Sequence, residues 1–297
     1  MFASAVRRPV RLGLGDSVSI AASGYNDDRL GLHGAAAWVI DGSTDVLERR
    51  ILPGPSDAAW FADALSLAFM RHVNEPAQTL ETIVTAATAE VRVRFEAAAL
   101  RAIVQPHERP SASGILMRIT DGHLEALSVG DCTLLTLPQE GAPLDLFRLS
   151  GKREADDDVR AVAAQARGEW PTGGEKGPQG IRPGLMPMLR AKRDRMNRPE
   201  GYGAFSLEPP PMQHVSRVRR PVHDGDLLLL ATDGFMRLVD VYRAYSLSAL
   251  GEAIRTEGLA RLAMALRKIE LDDEDCRRFP RAKAMDDATA MIVQVMV

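Results

Sequence analysis

Residues 226–235 read DLLLLATDGF, a run of aliphatic side chains that ends in Asp233 and Gly234. Such a short, almost wholly apolar run predicts a buried β-strand. A second run, AAAWVIDG at residues 35–42, has the same form and contains Asp41 near its end. A carboxylate at the end of a buried strand loses solvation free energy unless a cation or hydrogen bonds compensate it. The two strands therefore predict a polar site where they end.

Two further aspartates share this setting: Asp28 in GYNDDRL and Asp286 in AMDDATAMIV each precede an apolar segment. An Asp-Gly pair taken alone most often forms a turn. Four aspartates in one setting, with no histidine beside them, instead indicate a metal site with oxygen ligands only. Such ligands suit magnesium or manganese and do not suit zinc or copper. Because neighbouring side chains on a strand alternate, only one of Asp286 and Asp287 can face this site.

The remaining elements group into strands, helices, strands, helices and a last strand. Hydrophobic periodicity predicts strands from residues 17 and 35, then helices at about 57–73 and 79–102. A hairpin is predicted over 111–137, with a possible added strand from 143, and a long excursion over about 151–203. A strand from 226, helical stripes from 247 and 259, and a strand at the end complete the chain. This grouping favours α+β layers over a doubly wound parallel sheet.

Composition narrows the class of protein. The chain has 297 residues, of which 45% are hydrophobic and 26% charged, and a net charge of -3, so it is globular and lacks the basic excess of a nucleic-acid binder. Its two cysteines form no zinc spacing, and its six histidines are dispersed. No signal peptide or membrane-spanning run is apparent, which predicts a cytoplasmic protein with no membrane partner.

Taken in order, these segments resemble the motifs of the type 2C (PPM) serine/threonine phosphatases. The resemblance lies in NDD at 26–28, IDG at 40–42, the strand pair that carries VGDC at 129–132, ATDGF at 231–235 and DDATAMIVQV at 286–295. GYGAFSLEPP at 201–210 adds a weaker match. The resemblance spans residue 17 to the end of the sequence. Each motif is weak alone, but five in the family's order are specific.

The resemblance implies a single phosphatase domain over residues 1–297 with a four-layer αββα sandwich, and a flap at about 151–203 beside the active site. It implies two manganese or magnesium ions that activate a water to hydrolyse phosphoserine or phosphothreonine esters, so that no side chain is the nucleophile. The implied substrate is a phosphoprotein, and a Ser/Thr kinase is the implied opposing partner. The residues that it implies as metal ligands are Asp41 as the bridge, the carbonyl of Gly42, Asp233, Asp286 and Asp28, with Asp131 for a weaker third ion.

Three departures from the family's pattern concern the site. Ser23 stands where the family often has an arginine that binds phosphate, and Arg29 is expected to point to the opposite face of its strand. Ser43 and Thr44 replace two glycines after the Asp-Gly, and Asp27 replaces a glutamate. The charge missing at position 23 could come from one of the following basic residues, among which the sequence does not choose: Arg7, Arg8, Arg11, Lys192, Arg193 and Arg195.

Two other functions stay open at this point. The departures would also fit a catalytically weak or inactive PPM-fold module that binds a phosphoprotein or kinase without turnover. A phosphatase for a small phosphoester is a further alternative, because a basic flap would serve either kind of substrate.

Overall fold

The computed structural model describes residues 10–75, 77–137, 147–150 and 183–296. Within these residues it forms two antiparallel sheets of five strands each. The first sheet contains, in spatial order, β1 (Arg11–Ile20), β10 (Ala288–Met296), β9 (Leu227–Ala231), β6 (Thr133–Leu137) and β7 (Arg148–Ser150). The second contains β2 (Arg29–His33), β3 (Ala36–Gly42), β4 (Ala112–Thr120), β5 (His123–Val129) and β8 (Val215–Pro221).

Alternation along β3 shows how the second sheet is covered on both faces. Trp38 and Ile40 pack in a cluster with helices α1 (Asp57–His72) and α2 (Leu80–Ala98). Ala37 and Val39, which point the other way, pack in a cluster that also contains residues of the first sheet. A strand buried on both faces reads as a continuous apolar run, which is why residues 35–40 carry no polar side chain.

Strand β9 has the same arrangement in the first sheet. Leu229 and Ala231 pack with helices α4 (Asp233–Asp240), α5 (Leu247–Glu257) and α6 (Leu259–Asp272). Leu228 and Leu230 face the second sheet. The layers are therefore helices, sheet, sheet, helices, and the predicted αββα sandwich is confirmed.

The helices begin where their caps predict and end where tertiary contacts require. Ser56 caps α1 by accepting a hydrogen bond from the amide of Ala59 at 2.8 Å. The predicted extension of α2 to residue 102 is wrong, since the helix ends at Ala98. There the chain turns extended, and the amide of Leu100 donates to the carbonyl of Ile51 at 2.7 Å. A contact distant in sequence thus sets the end of this helix.

The segment predicted as one hairpin is divided between the two sheets. Strands β4 and β5 pair as expected, but β6 pairs with β9 in the other sheet. The crossing occurs at Gly130, where φ is +81° and a Cβ would lie 2.3 Å from the Cβ of Ser113. Only glycine fits such a conformation and approach. The crossing places Asp131 at the edge where the sheets meet.

Some elements were missed or lie elsewhere. Strands β2 and β8 and the helices α3 (Met186–Arg193) and α4 were not predicted. Of the long excursion, residues 151–182 lie outside the described residues, as do 143–146 of the possible added strand. None of the helices in the described part of the chain is both long and apolar enough to span a membrane.

Candidate metal centre

Carboxylates from both sheets meet at one edge of the sandwich. A cleft of about 1010 Å³ at this edge is lined by Asp41, Asp131, Asp233 and Asp286, and we call it the acidic cleft. Asp28 is 3% exposed, and it lies close enough to Asp41 for its charge to raise the pKa of the Asp41 carboxyl. The four aspartates singled out in the sequence therefore lie near one another in the fold, although Asp28 and Asp286 are 258 positions apart.

The two glycines that follow Asp41 and Asp233 allow this convergence. A Cβ on Gly42 would lie 2.7 Å from the carbonyl oxygen of Asp27, and one on Gly234 would lie 1.9 Å from that of Asp287. Neither glycine lies in a chain-reversing turn, since Gly42 is the last residue of β3 and Gly234 is the second residue of the helix α4. The Asp-Gly pairs therefore serve close backbone approach rather than chain reversal.

Burial and mutual repulsion dominate the electrostatics of the acidic cleft. Burial raises the pKa of Asp41 well above its ordinary value, and the charges of Asp28, Asp233 and Asp131 raise it further. Burial and the charge of Asp287 likewise raise the pKa of Asp28. Such a cluster favours protons or a bound cation, because either one relieves the repulsion.

Neighbouring hydroxyl and amide groups orient these carboxylates. Thr232 Oγ1 donates to Asp28 Oδ2 at 2.9 Å, and the amide of Asp28 donates to Asn26 Oδ1 at 2.8 Å. Ser113 pairs with Asp41 across β3 and β4 and donates from Oγ to Asp131 Oδ1 at 2.7 Å. Asp286 lines the acidic cleft and Asp287 does not; Asp287 instead accepts amide hydrogen bonds from Ala22 and Asp27 at 2.7 and 2.6 Å.

Asp286 is bonded to two cations that the sequence prediction missed. Its Oδ2 accepts from Arg237 Nη2 at 2.5 Å, and its Oδ1 accepts from Lys283 Nζ. Lys283 Nζ also donates to Thr44 Oγ1 at 2.7 Å. A signal for Arg237 exists in the sequence: it lies four positions after Asp233, so the two share a face of α4.

Three solved structures of similar fold each cover nearly the whole chain. The catalytic domain of the serine/threonine protein phosphatase PstP in complex with two manganese ions is 14% identical and has a TM-score of 0.54, with 97% of this chain and 100% of that chain covered. PstP/Ppp of Mycobacterium tuberculosis is 15% identical at a TM-score of 0.54, with 97% and 99% covered. PppA of Pseudomonas aeruginosa, described as a key regulatory component of the type VI secretion system, is 14% identical at 0.50, with 97% and 99% covered.

The chain has the fold of the type 2C phosphatases. No protein-family model matches the sequence, and no curated protein matches it either. The similarity to these phosphatases therefore lies in the fold. Which reaction this chain could catalyse has to be argued from the residues that line its acidic cleft.

Some of the residues at the acidic cleft are suitable ligands for a divalent cation, and Asp286 is not. The carboxylates of Asp28, Asp41 and Asp233 and the carbonyl of Gly42 are hard oxygen donors of the kind that manganese and magnesium prefer. Asp286 does not fit in this arrangement, because both of its oxygens are bonded to cations. Among the described residues, no three His, Cys, Asp or Glu side chains form a compact ligand group. The fit therefore rests on donor chemistry and not on a preformed cage.

Basic side chains line the wall of the acidic cleft. Lys192, Arg193 and Arg195, at and just beyond the end of α3, line it together with the aspartates. Arg193 Nη2 donates to the carbonyl of Thr44 at 3.1 Å, which joins α3 to the site. Arg29 pairs with Asp63 of α1, so the expectation that it points away from the site is confirmed.

Of the other candidates for a phosphate-binding charge, Arg11 belongs to the described residues and does not line the acidic cleft. Arg11 begins β1 opposite Met296, at the other end of that strand pair from Ile20 and Ala288. Arg7 and Arg8 lie outside the described residues. Asp27, which replaces the family's glutamate, accepts a hydrogen bond from Ser56 Oγ at 2.5 Å and so contacts the cap of α1.

Proposed function

We propose that this chain is a metal-dependent phosphatase that hydrolyses phosphoserine and phosphothreonine esters on proteins. The observation that supports it is the convergence of Asp28, Asp41, Asp131 and Asp233 at one edge of a type 2C fold, where burial and the charges of the other three raise the pKa of Asp41. The residues proposed to hold the metal are Asp41, Asp28, Asp233 and the carbonyl of Gly42. When bound, manganese or magnesium supplies the Lewis acid that activates water for attack on phosphorus.

The chain's own residues position these ligands and the substrate. Thr232 donates to Asp28 and so favours its ionised form, which is the form that binds a metal. Ser113 Oγ donates to Asp131 Oδ1 and so orients that carboxylate. Arg193, held against Thr44, and the neighbouring Lys192 and Arg195 present positive charge to a phosphoryl group that enters the acidic cleft.

The acidic cleft is large enough for a phosphorylated side chain with flanking peptide as well as for a small ester. Pockets for small ligands are typically about 300–1,000 Å³, and the acidic cleft, at about 1010 Å³, lies at the upper end of this range. A phosphorylated peptide segment would fill such a volume, and its phosphate would lie between the aspartates and the basic wall. On this proposal the partner of the enzyme is a phosphoprotein, and its activity opposes that of a Ser/Thr kinase.

The test is hydrolysis of p-nitrophenyl phosphate and of a phosphothreonine peptide with added manganese. We expect turnover that EDTA abolishes. Asp41→Asn and Asp233→Asn should each lower it by orders of magnitude, because each removes a carboxylate proposed to hold the metal. Each tenfold loss corresponds to about 1.4 kcal/mol of transition-state stabilisation. Asp272→Asn is the matched control, since Asp272 is exposed and pairs with Lys268 on α6. Undiminished turnover in both cleft variants would contradict the proposal.

The bonding of Asp286 favours a second candidate. If its ion pairs prevent metal binding altogether, the chain is a type 2C module that binds a phosphoprotein or kinase without turnover. This candidate predicts binding of the phosphothreonine peptide with no release of phosphate at any manganese concentration. Release of phosphate that depends on Asp41 eliminates it.

A further inference from the structure

Both carboxylate oxygens of Asp286 are bonded to cations that the chain itself supplies. Arg237 bonds its Oδ2 and Lys283 its Oδ1, while the amide of Asp287 donates to Oδ1 at 3.1 Å. Burial favours the neutral carboxyl, yet Lys283 and Arg237 outweigh it and hold the pKa of Asp286 below its ordinary value. The carboxylate is thus ionised and accepts hydrogen bonds from three donors, with at least one on each oxygen.

The structure fixes both cations in place. The side chain of Arg237 is 9% exposed, and its Nη1 lies 3.5 Å from Oε1 of Glu270, which is fully buried. Glu270 also accepts from Tyr242 at 3.2 Å and pairs with Arg267, whose Nη2 donates to the carbonyl of Asp286 at 2.7 Å. Arg237 thus belongs to a network that extends from α6 to the cleft.

Lys283 is anchored from the opposite side. Its Nζ bridges Asp286 and Thr44 Oγ1, and its side chain is 16% exposed. Thr44 replaces a glycine of the family's pattern, so the hydroxyl that holds Lys283 is one of the departures seen in the sequence.

This arrangement conflicts with a metal ligand at position 286. A hard cation binds through oxygen lone pairs, and magnesium requires near-octahedral geometry at about 2.0–2.1 Å. An ammonium group on Oδ1 and a guanidinium group on Oδ2 compete with such an ion for the lone pairs of these oxygens. Each also adds a positive charge that repels a divalent ion nearby.

We propose that Lys283 and Arg237 take the place of one divalent cation, so that the acidic cleft binds one metal ion fewer than the two manganese ions in the PstP complex. The remaining ion is held by Asp41 and its neighbours, and Asp286 anchors the two cations. This inference rests on the proposed function only in that the cleft binds a metal. It concerns the number of ions and does not require turnover.

The test counts manganese by isothermal titration calorimetry on the full chain, with electron paramagnetic resonance to detect ions coupled to one another. Wild type is expected to bind one ion per chain with the spectrum of isolated manganese. Lys283→Gln frees Asp286 Oδ1 and is expected to gain one ion, with a coupled spectrum. Lys283→Arg keeps the charge and is expected to keep the wild-type stoichiometry, as is Lys268→Gln, which removes a lysine exposed on α6.

A second pair of variants makes the result independent of how well one mutant folds. Asp286→Asn alone is expected to leave the manganese stoichiometry unchanged, whereas in the Lys283→Gln background it is expected to abolish the gained site. Loss of an ion in Asp286→Asn alone, or equal stoichiometry in Lys283→Gln and wild type, overturns the proposal. Absence of turnover with the expected stoichiometries counts against the proposed function and leaves this inference standing.

Discussion

Thr232 Oγ1 donates a 2.9 Å hydrogen bond to Asp28 Oδ2 and thereby joins the two sheets at the edge where the carboxylates meet. Thr232 follows β9 of the first sheet, and Asp28 precedes β2 of the second. The same hydroxyl accepts from the amide of Thr289 at 3.0 Å, so one side chain fixes the end of β9, the start of β10 and a buried carboxylate. The geometry of the candidate metal centre thus depends on packing between the sheets.

Replacement of Thr232 by the isosteric valine should weaken both the fold and the metal site. The change removes a hydrogen bond to a buried carboxylate, which is worth about 1.5–3 kcal/mol. It also raises the pKa of Asp28, since the Thr232 hydroxyl lowers it. We expect a lower free energy of unfolding in urea and a smaller stabilisation by added manganese. Thr256→Val, which removes an exposed hydroxyl on α5, is the control. Equal manganese effects in the two variants would contradict this role.

Gly234→Ala tests whether the Asp-Gly glycines serve close approach. The added Cβ would lie 1.9 Å from the carbonyl oxygen of Asp287, so the backbone must shift, at a cost typical of overpacking of about 1–3 kcal/mol. The shift displaces the start of α4 from residues 286–287 and should lower manganese affinity as well as the melting temperature. Gly24→Ala is the matched control, because no atom lies within 4 Å of its Cβ position. Similar melting temperatures for the two variants would refute the packing argument.

The predictable part of the site is the part that local sequence encodes. Asp41 and Asp233 could be identified because each adjoins a run of apolar residues, and a carboxylate there demands an explanation. Asp28 and Asp286 share that setting beside an apolar segment, and the family resemblance implied the role of each as a metal ligand. The layered fold followed from the grouping of elements, and the sandwich confirms it.

The parts that could not be predicted depend on contacts between distant residues. Arg237 and Asp286 are separated by 49 positions, and Lys283 and Thr44 by 239. Neither pairing leaves a pattern in the sequence. Strand β8, VSRVRRP, lies at the edge of its sheet, and three of its seven residues, Arg217, Arg219 and Pro221, are exposed. The apolar run that marks a buried strand is therefore absent.

Asp45 should make the stability of the metal-free protein depend on pH. It accepts hydrogen bonds from the amides of Asp57 and Ala58 at the start of α1, and burial raises its pKa from 3.8 to about 6. Because the folded state holds this proton more tightly than the unfolded state, the contribution to stability is present below about pH 4 and is lost as the pH rises to about 6. The loss is at most about 3 kcal/mol, at about 1.4 kcal/mol per pKa unit.

Asp45→Asn removes this titration. Its free energy of unfolding in EDTA is therefore expected to rise relative to that of wild type between pH 4 and pH 6, as measured by urea denaturation. The exposed Asp272→Asn should follow wild type throughout. A constant difference between Asp45→Asn and wild type over this range would exclude Asp45 as the source.

The buried pair of Asp273 and Arg281 should hold the loop that carries Lys283 and Asp286. Arg281 Nη1 lies 2.5 Å from Asp273 Oδ2, the two side chains are 3% and 7% exposed, and Arg281 Nε donates to the carbonyl of Ala284 at 3.0 Å. Removal of one partner leaves an uncompensated buried charge, so Arg281→Met should destabilise the protein by roughly 3–5 kcal/mol. Arg277→Met is the control, since this exposed arginine pairs only at 3.9 Å and should change stability by less than about 1 kcal/mol.

The double variant Asp273→Asn/Arg281→Met separates lost charge compensation from lost packing. If the cost of Arg281→Met arises from the unpaired carboxylate, the double variant should be less destabilised than the sum of the two single variants, with a coupling of about 0.5–3 kcal/mol. Additive losses would show that the arginine acts through its hydrogen bonds to the loop backbone alone. In that case, the manganese stoichiometry of Arg281→Met should still match that of wild type, because Lys283 and Arg237 contact Asp286 directly.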